Sequence, residues 1–88
     1  MSIYLISYDL NDPGKDYAAL WEAIENLGPF IKPLESVYFV ATTLRSDQIV
    51  PRLTRVMDLG DGLVVTPIEK DPTGGQVDPE VWKWLSAH

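Results

Sequence analysis

The 88-residue sequence contains no cysteine, and its single histidine is the last residue, His88. Disulfide bonds, thiolate metal sites and cysteine nucleophiles are therefore excluded, and histidine chemistry is not expected. No apolar run approaches the length of a membrane span, and the N-terminus has neither the basic flank nor the cleavage site of a signal peptide. We therefore expect a cytoplasmic protein that has no membrane partner.

Basic residues are also scarce. Seven Lys and Arg face 13 Asp and Glu, which gives a formal net charge of −6. Non-specific binding to nucleic acid depends on the neutralisation of phosphates by Lys and Arg, so the acidic balance disfavours a nucleic-acid partner but leaves room for a local basic patch. The hydrophobic fraction of 45% is ordinary for a globular chain, and the length suits one domain over residues 1–88.

Hydrophobic spacing divides the first half of the chain into strands and one helix. Residues 2–9 form a β-branched and aromatic run that ends on Asp9, which is typical of a strand buried on both faces. Apolar residues at helical spacing predict a helix over about residues 15–27, ended by Gly28 and a following proline. Residues 30–34 and 36–42 predict a hairpin, whose first strand is an edge or bulged strand because Pro33 lacks an N–H donor.

The second half predicts two helices around one strand. A helix is expected over about residues 47–58, with Ser46 or Asp47 as its N-cap. Asp47 is favoured because Pro51 is tolerated only within the first turn. Residues 63–68 predict the fourth strand. The sequence Asp-Pro-Glu at residues 78–80 then predicts the start of a short C-terminal helix.

This order predicts a ferredoxin-like α+β fold, β-α-β-β-α-β, with a core over about residues 2–68 and a connection and helix over about 69–88. Two helices cover one face of a four-stranded antiparallel sheet. The other face is also apolar, so the C-terminal helix or a second subunit must cover it, and we expect a homodimer. The residues expected in dimer or sheet-face packing are Tyr4, Tyr38, Trp82, Trp84 and Leu85.

Two segments carry a resemblance to a known family. The first strand ends in Tyr8-Asp9-Leu10, and residues 32–40 read Lys-Pro-Leu-Glu-Ser-Val-Tyr-Phe-Val. Over about residues 2–68 the chain resembles the small ferredoxin-like subunit of CRISPR spacer-adaptation complexes, and more closely the compact SinR-like proteins grouped with it. The resemblance implies homodimers joined through their sheets, with Asp9 in the position proposed to hold a divalent metal between subunits. It also implies either a metal-dependent nuclease, such as an endoribonuclease, or a structural adaptor.

Asp9 is the one candidate for a catalytic and metal-binding residue. Hard divalent cations take oxygen ligands, and a two-fold axis would bring a second copy of Asp9 beside the first. The commoner role for an aspartate beside a turn is to order the loop through local hydrogen bonds.

Arginines and tryptophans offer two further alternatives. Arg45, Arg52 and Arg55 are a candidate phosphate stripe, although a solvated helix face with paired acids is the simpler interpretation. Trp82 and Trp84 can stack on bases, but packing onto the sheet or into a dimer contact is favoured in a chain that lacks a basic groove.

The absence of a catalytic constellation, together with two apolar sheet faces, favours a non-catalytic homodimeric structural or adaptor protein without a cofactor. One alternative is a nuclease acting on RNA or DNA, with paired Asp9 residues holding Mg²⁺ or Mn²⁺ at the dimer axis. A further alternative is a small-molecule or peptide-binding module that uses the sheet face or the edge beside Pro33.

Overall fold

A four-stranded antiparallel sheet organises the structure, a computed structural model that describes residues 1–12, 16–69 and 74–88. The strands lie in the order β2-β3-β1-β4. The α+β architecture is consistent with a ferredoxin-like fold. The elements, in chain order, are β1 (Ser2–Asp9), α1 (Ala18–Glu25), β2 (Phe30–Leu34), β3 (Val37–Thr42), α2 (Ser46–Thr54), β4 (Gly62–Pro67) and α3 (Glu80–Ala87).

Successive side chains of the central strand β1 point to opposite faces of the sheet, so β1 contributes to an apolar layer on each face. Tyr4, Ile6 and Tyr8 point to the face covered by α1 and α2, and all three are buried. The main core lies on this face and consists of Tyr4, Ile6, Tyr8, Tyr17, Leu20, Ile24, Tyr38, Val40, Ile49 and Leu53. Burial of this set is the main force holding α1 and α2 on the sheet.

The C-terminal helix α3 packs on the opposite face of the sheet in the same chain. Val81 and Leu85 of α3 are buried with Ile3 and Ala41 of the sheet, while Trp82 and Trp84 pack around them. The sequence predicts that either the C-terminal helix or a second subunit covers this face. In the structure, α3 covers part of it.

All three helices are short, at eight or nine residues. The helix expected over residues 15–27 spans Ala18–Glu25 in the described residues, and residue 15 lies outside them. At its start the Asp16 carboxylate accepts the Ala18 N–H at 2.9 Å. The predicted end at Gly28 is wrong, because the C-cap is Asn26 and Gly28 does not have a positive φ. Across the three described ranges, none of the helices is long and apolar enough to cross a membrane.

The predicted N-cap of α2 is wrong, although the helix begins at Ser46, one residue before the predicted start. The N-cap is Arg45 rather than Asp47, so Pro51 lies inside the helix and not in its first turn. The backbone N–H of Arg45 donates to the Gln48 side chain at 2.9 Å, and the Ile49 N–H donates to the Arg45 carbonyl at 3.0 Å. These contacts fix the earlier start, and buried Ile49 and Leu53 hold the helix on the sheet despite the donor missing at proline.

The hairpin of β2 and β3 is confirmed. β2 is an edge strand, its register with β3 shifts between Ile31 and Leu34, and Pro33 lies within that shift. The start of the last helix is also close to the prediction, because the Asp78 carboxylate accepts the Glu80 N–H at 2.9 Å. The fourth strand, Gly62–Pro67, begins and ends one residue before the predicted range.

Candidate functional site

An uncovered row of side chains crosses the face on which α3 packs. The strand registers pair Leu34 with Val37, Val37 with Ser7, and Ser7 with Val64, so these four residues lie side by side on one face. Leu34 is 55% exposed and Val64 is 57% exposed. We call Leu34, Val37, Ser7 and Val64 the open row.

The open row lies beyond the part of the sheet that α3 covers. The buried sheet residues beneath α3 are Ile3 and Ala41, four residues along β1 and β3 from Ser7 and Val37. Between them, Leu5 and Phe39 line an open groove of about 220 Å³ beside Trp82 and Leu85. One short helix therefore covers one end of this face and leaves the other end to solvent.

The two edges of the sheet differ in how they are protected. The β2 edge carries Lys32, Pro33 and a register shift, which are devices that discourage pairing with another strand. The β4 edge reads Gly-Leu-Val-Val-Thr-Pro and has no charged residue. Apart from its ladder with β1, the backbone of Gly62–Pro67 makes no backbone hydrogen bond within the part of the chain described.

The alternation of the β1–β4 ladder shows which groups of β4 point outward. The Ile68 N–H donates to the Ile3 carbonyl at 3.0 Å, and the register continues through Leu5 with Thr66 and Ser7 with Val64. In an antiparallel ladder, bonded pairs recur at every second residue. Thr66 and Val64 therefore bond toward β1, and Leu63 and Val65 present their N–H and C=O groups to the outer edge.

Asp9 ends β1 on the same face as the open row, opposite Gly62 of β4. Its side chain is exposed, and its carboxylate has no hydrogen-bond or ion-pair partner among the described residues. Within those residues, no group of three or more His, Asp or Glu side chains could hold a metal ion.

Asp61, which the sequence analysis did not single out, is the carboxylate that orders the loops near Asp9. It accepts the backbone N–H of Asn11 at 2.9 Å, the backbone N–H of Asp58 at 2.9 Å and the Tyr17 hydroxyl at 3.2 Å. Burial is the main cause that raises the pKa of Tyr17, and the nearby Asp61 and Asp58 carboxylates raise it further. Asp61 thus performs the loop-ordering role that the sequence analysis considered for Asp9.

We expect Asp61→Ala to lower the free energy of unfolding by about 2 kcal/mol, because two backbone donors and a buried phenol lose their acceptor. Asp9→Ala, which removes no hydrogen bond, should change stability by less than about 0.5 kcal/mol. Urea unfolding followed by tryptophan fluorescence measures both. Equal losses in the two variants would contradict the assignment of loop order to Asp61.

The three arginines of the candidate phosphate stripe lie in two different settings. Arg45 is paired with Asp47 at 3.1 Å, and both side chains are largely exposed. Arg52 and Arg55 line an open groove of about 420 Å³ between α1 and α2, together with Ala23, Asn26 and Leu27. Neither guanidinium has an ion-pair or hydrogen-bond partner among the described residues. Their place at the C-terminal end of α2 gives them a favourable interaction with the helix dipole.

The aromatic residues predicted to pack on the sheet are divided between its two faces. Tyr4 and Tyr38 belong to the core beneath α1 and α2, at 7% and 2% exposure. Trp82, Trp84 and Leu85 lie against the other face, and Trp84 stacks on His88 with ring centroids 4.3 Å apart.

A phenol–carboxylate contact joins the core to the surface of α1. The Tyr38 hydroxyl donates to the Glu25 carboxylate at 2.8 Å. Burial is the largest cause that raises the pKa of Tyr38 well above its usual range, and the hydrogen bond and charge of Glu25 add to it. The ring also lies 5.5 Å from the Lys32 ammonium nitrogen.

This contact predicts a loss of stability at high pH. A raised pKa in the folded state means that the neutral phenol is favoured by folding, so its contribution is fully present below the unfolded pKa of about 10. The contribution falls as the pH rises from there toward the higher folded value. Urea midpoints between pH 9 and 11 should therefore decline, and Tyr38→Phe should decline less steeply. A parallel decline in both proteins would contradict the role of Tyr38.

Comparisons with protein-family models, with curated proteins and with solved structures found no match to this chain. The open row, the β4 edge and the carboxylates near the end of β1 are therefore the features of the molecule from which a function can be inferred.

Proposed function

We propose that the protein is a non-catalytic homodimeric structural or adaptor protein with a ferredoxin-like fold, resembling the SinR-like CRISPR-associated proteins. The second copy joins at the β4 side of the sheet, where the open row reaches the edge. The middle of β4 contains neither a charged residue nor a proline that would discourage pairing. The observation that carries this proposal is the half-covered sheet face, on which Leu34 and Val64 are both more than half exposed.

The exposed apolar surface supports association with a like surface. Exposed apolar residues next to an unpaired strand edge are typical of a contact between chains. When two chains pair, the apolar side chains are removed from water and the backbone groups of the edge gain hydrogen bonds. The remaining surface is strongly acidic, with a net charge of −6 per chain. Two copies therefore repel one another least where they meet through an uncharged strand.

The arrangement of polar groups supports a structural role over a catalytic one. Near the end of β1, the Asp61 carboxylate accepts hydrogen bonds from two backbone amides and from the Tyr17 hydroxyl. Asp9 pairs with Gly62 in the sheet, and among the described residues it belongs to no group of three or more acidic or histidine side chains that could hold a metal ion.

Light scattering coupled to gel filtration tests the proposal, with parallel incubation of labelled RNA and DNA in Mg²⁺ or Mn²⁺. We expect a mass of twice 9.9 kDa and no cleavage. A monomer at all concentrations up to about the millimolar range, where even weak association is half complete, would overturn the homodimer.

A second candidate function is a metal-dependent nuclease, favoured by one observation: Asp9 is exposed on the face that carries the open row, and none of the described residues forms a hydrogen bond with its carboxylate. In this candidate, paired Asp9 carboxylates would hold Mg²⁺ or Mn²⁺, which polarises the phosphate and lowers the pKa of a bound water. Cleavage that requires metal and disappears in Asp9→Ala, while Leu59→Ala retains it, would favour the nuclease. Leu59 is fully exposed in the loop after α2 and serves as a matched surface control.

A binding module is the third outcome of the same experiment. The β4 edge can also accept an extended peptide as a fifth strand, since the outward N–H and C=O groups of Leu63 and Val65 are unpaired within the described part of a single copy of the chain. A wild-type monomer would shift the proposal from a homodimer to such a module.

A further inference from the structure

We infer that two copies pair antiparallel through β4, with a two-fold axis between the two copies of Val64, so that their sheets form one eight-stranded sheet. This inference rests on the proposed homodimer and specifies the strand, the register and the central residue of its contact.

The positions of the outward backbone groups select the register. Leu63 and Val65 are the two residues in the middle of β4 whose N–H and C=O groups face away from β1. If Leu63 pairs with the partner's Val65 and Val65 with the partner's Leu63, the N–H groups of both residues in both copies can each donate to a carbonyl of the other copy. A shift of two residues toward the end of the strand would place Pro67 opposite Leu63, and proline has no N–H to donate.

The same register places Val64 opposite itself. Residues opposite each other in a pair without direct hydrogen bonds have their Cα atoms about 4.5 Å apart, with side chains in contact on one face. Val64 is 57% exposed on the face of the open row, so its side chain is available for this contact. The two open rows would then run on continuously across the axis.

Charge supports this edge over the other edge of the sheet. Gly62–Pro67 contains no charged residue, whereas β2 contains Lys32, Pro33 and a register shift. Antiparallel pairing also places Asp61, just before β4, beside the far end of the partner strand and away from the partner's Asp61. Like charges of the two acidic chains are therefore kept apart at the seam.

One geometric consequence separates this dimer from the nuclease candidate. The two β1 strands would be separated by two β4 strands, which is three strand spacings or about 14 Å. The two Asp9 residues could not then ligate one metal ion, because carboxylate oxygens bind Mg²⁺ at about 2.1 Å.

Opposite charges at Val64 test the register directly. Val64→Lys and Val64→Glu each place two like charges face to face at the axis, so each variant alone should be monomeric. A mixture of the two should form a mixed dimer with a dissociation constant at least tenfold below that of either variant alone. Light scattering gives the masses, and native mass spectrometry identifies the mixed species.

A matched control is Val50→Lys, the same change at an exposed valine on α2. It should leave the wild-type mass unchanged. Far-UV circular dichroism and urea midpoints establish that the Val64 variants remain folded, and a variant that unfolds is replaced by Val64→Gln, which should weaken the dimer less.

The possible outcomes separate the inference from the proposed function. A monomeric wild type would overturn both. A dimeric wild type with dimeric Val64→Lys would overturn only the β4 register and place the contact elsewhere. Folded monomeric variants that fail to form the mixed dimer would overturn the position of Val64 on the axis.

Discussion

Gly28→Ala is expected to destabilise the fold by about 3 kcal/mol, a large effect for the addition of one methyl group. A Cβ atom at residue 28 would lie 2.1 Å from the carbonyl oxygen of Ala41 and 3.3 Å from its carbonyl carbon. Both are backbone atoms of β3, so the clash is relieved only if the turn after α1 moves away from the sheet. That movement would disturb the neighbouring bond from the Ala41 N–H to the Pro29 carbonyl, 2.9 Å long.

A series of glycine variants provides the measurement and its controls. At Gly60 a Cβ would meet the side-chain nitrogen of Asn11 at 2.3 Å, and that side chain can rotate away. At Gly74 a Cβ would meet no atom of the described residues within 4 Å. Urea unfolding should therefore give the largest loss for Gly28→Ala, a smaller loss for Gly60→Ala and a change within about 0.5 kcal/mol for Gly74→Ala. Similar losses at residues 28 and 74 would contradict the close approach to β3.

Leu85→Ala is the second large effect, with an expected loss of about 3 kcal/mol in the free energy of unfolding. Leu85 is 3% exposed and packs with Val81, Ile3 and Ala41 between α3 and the sheet. Truncation would remove apolar contacts and leave a cavity beneath the helix. Because α3 packs on the face that is only half covered, the loss should also loosen the helix from the sheet.

Tryptophan fluorescence and far-UV circular dichroism measure this effect. Trp82 and Trp84 flank Leu85, so loosening of α3 should shift their emission to longer wavelength before the sheet unfolds. Ser86→Ala is the matched control, because Ser86 is exposed on the same helix and should change stability by less than about 0.5 kcal/mol. A small effect at Leu85 together with unchanged emission would contradict the docking of α3 in the same chain.

Local patterns in the sequence were sufficient to predict most of the fold. The β-branched runs and the proline in β2 each act over a few residues, so their consequences can be read without tertiary contacts. The N-cap of α2 was predicted wrongly because the rule that proline occupies a first turn is a local preference. The buried residues Ile49 and Leu53 outweigh that preference through contacts with distant strands.

The candidate surface could not be predicted in the same way. The open row joins residues from four strands, and its composition depends on register, which a slip of one residue would reverse. Asp61 was missed because its partner Asn11 is 50 positions away in the sequence. Asp9 was visible as the end of a strand, but only the structure places its side chain on the face of the open row.

Amide hydrogen exchange along β4 is the most direct measurement of pairing between two copies through this edge. Val64 and Thr66 bond toward β1 in either state, whereas Leu63 and Val65 bond only if a second strand is present. We predict that all four amides exchange slowly at high protein concentration and that Leu63 and Val65 become fast on dilution. Fast exchange at Leu63 and Val65 at every concentration, with Val64 and Thr66 still protected, would contradict assembly through β4.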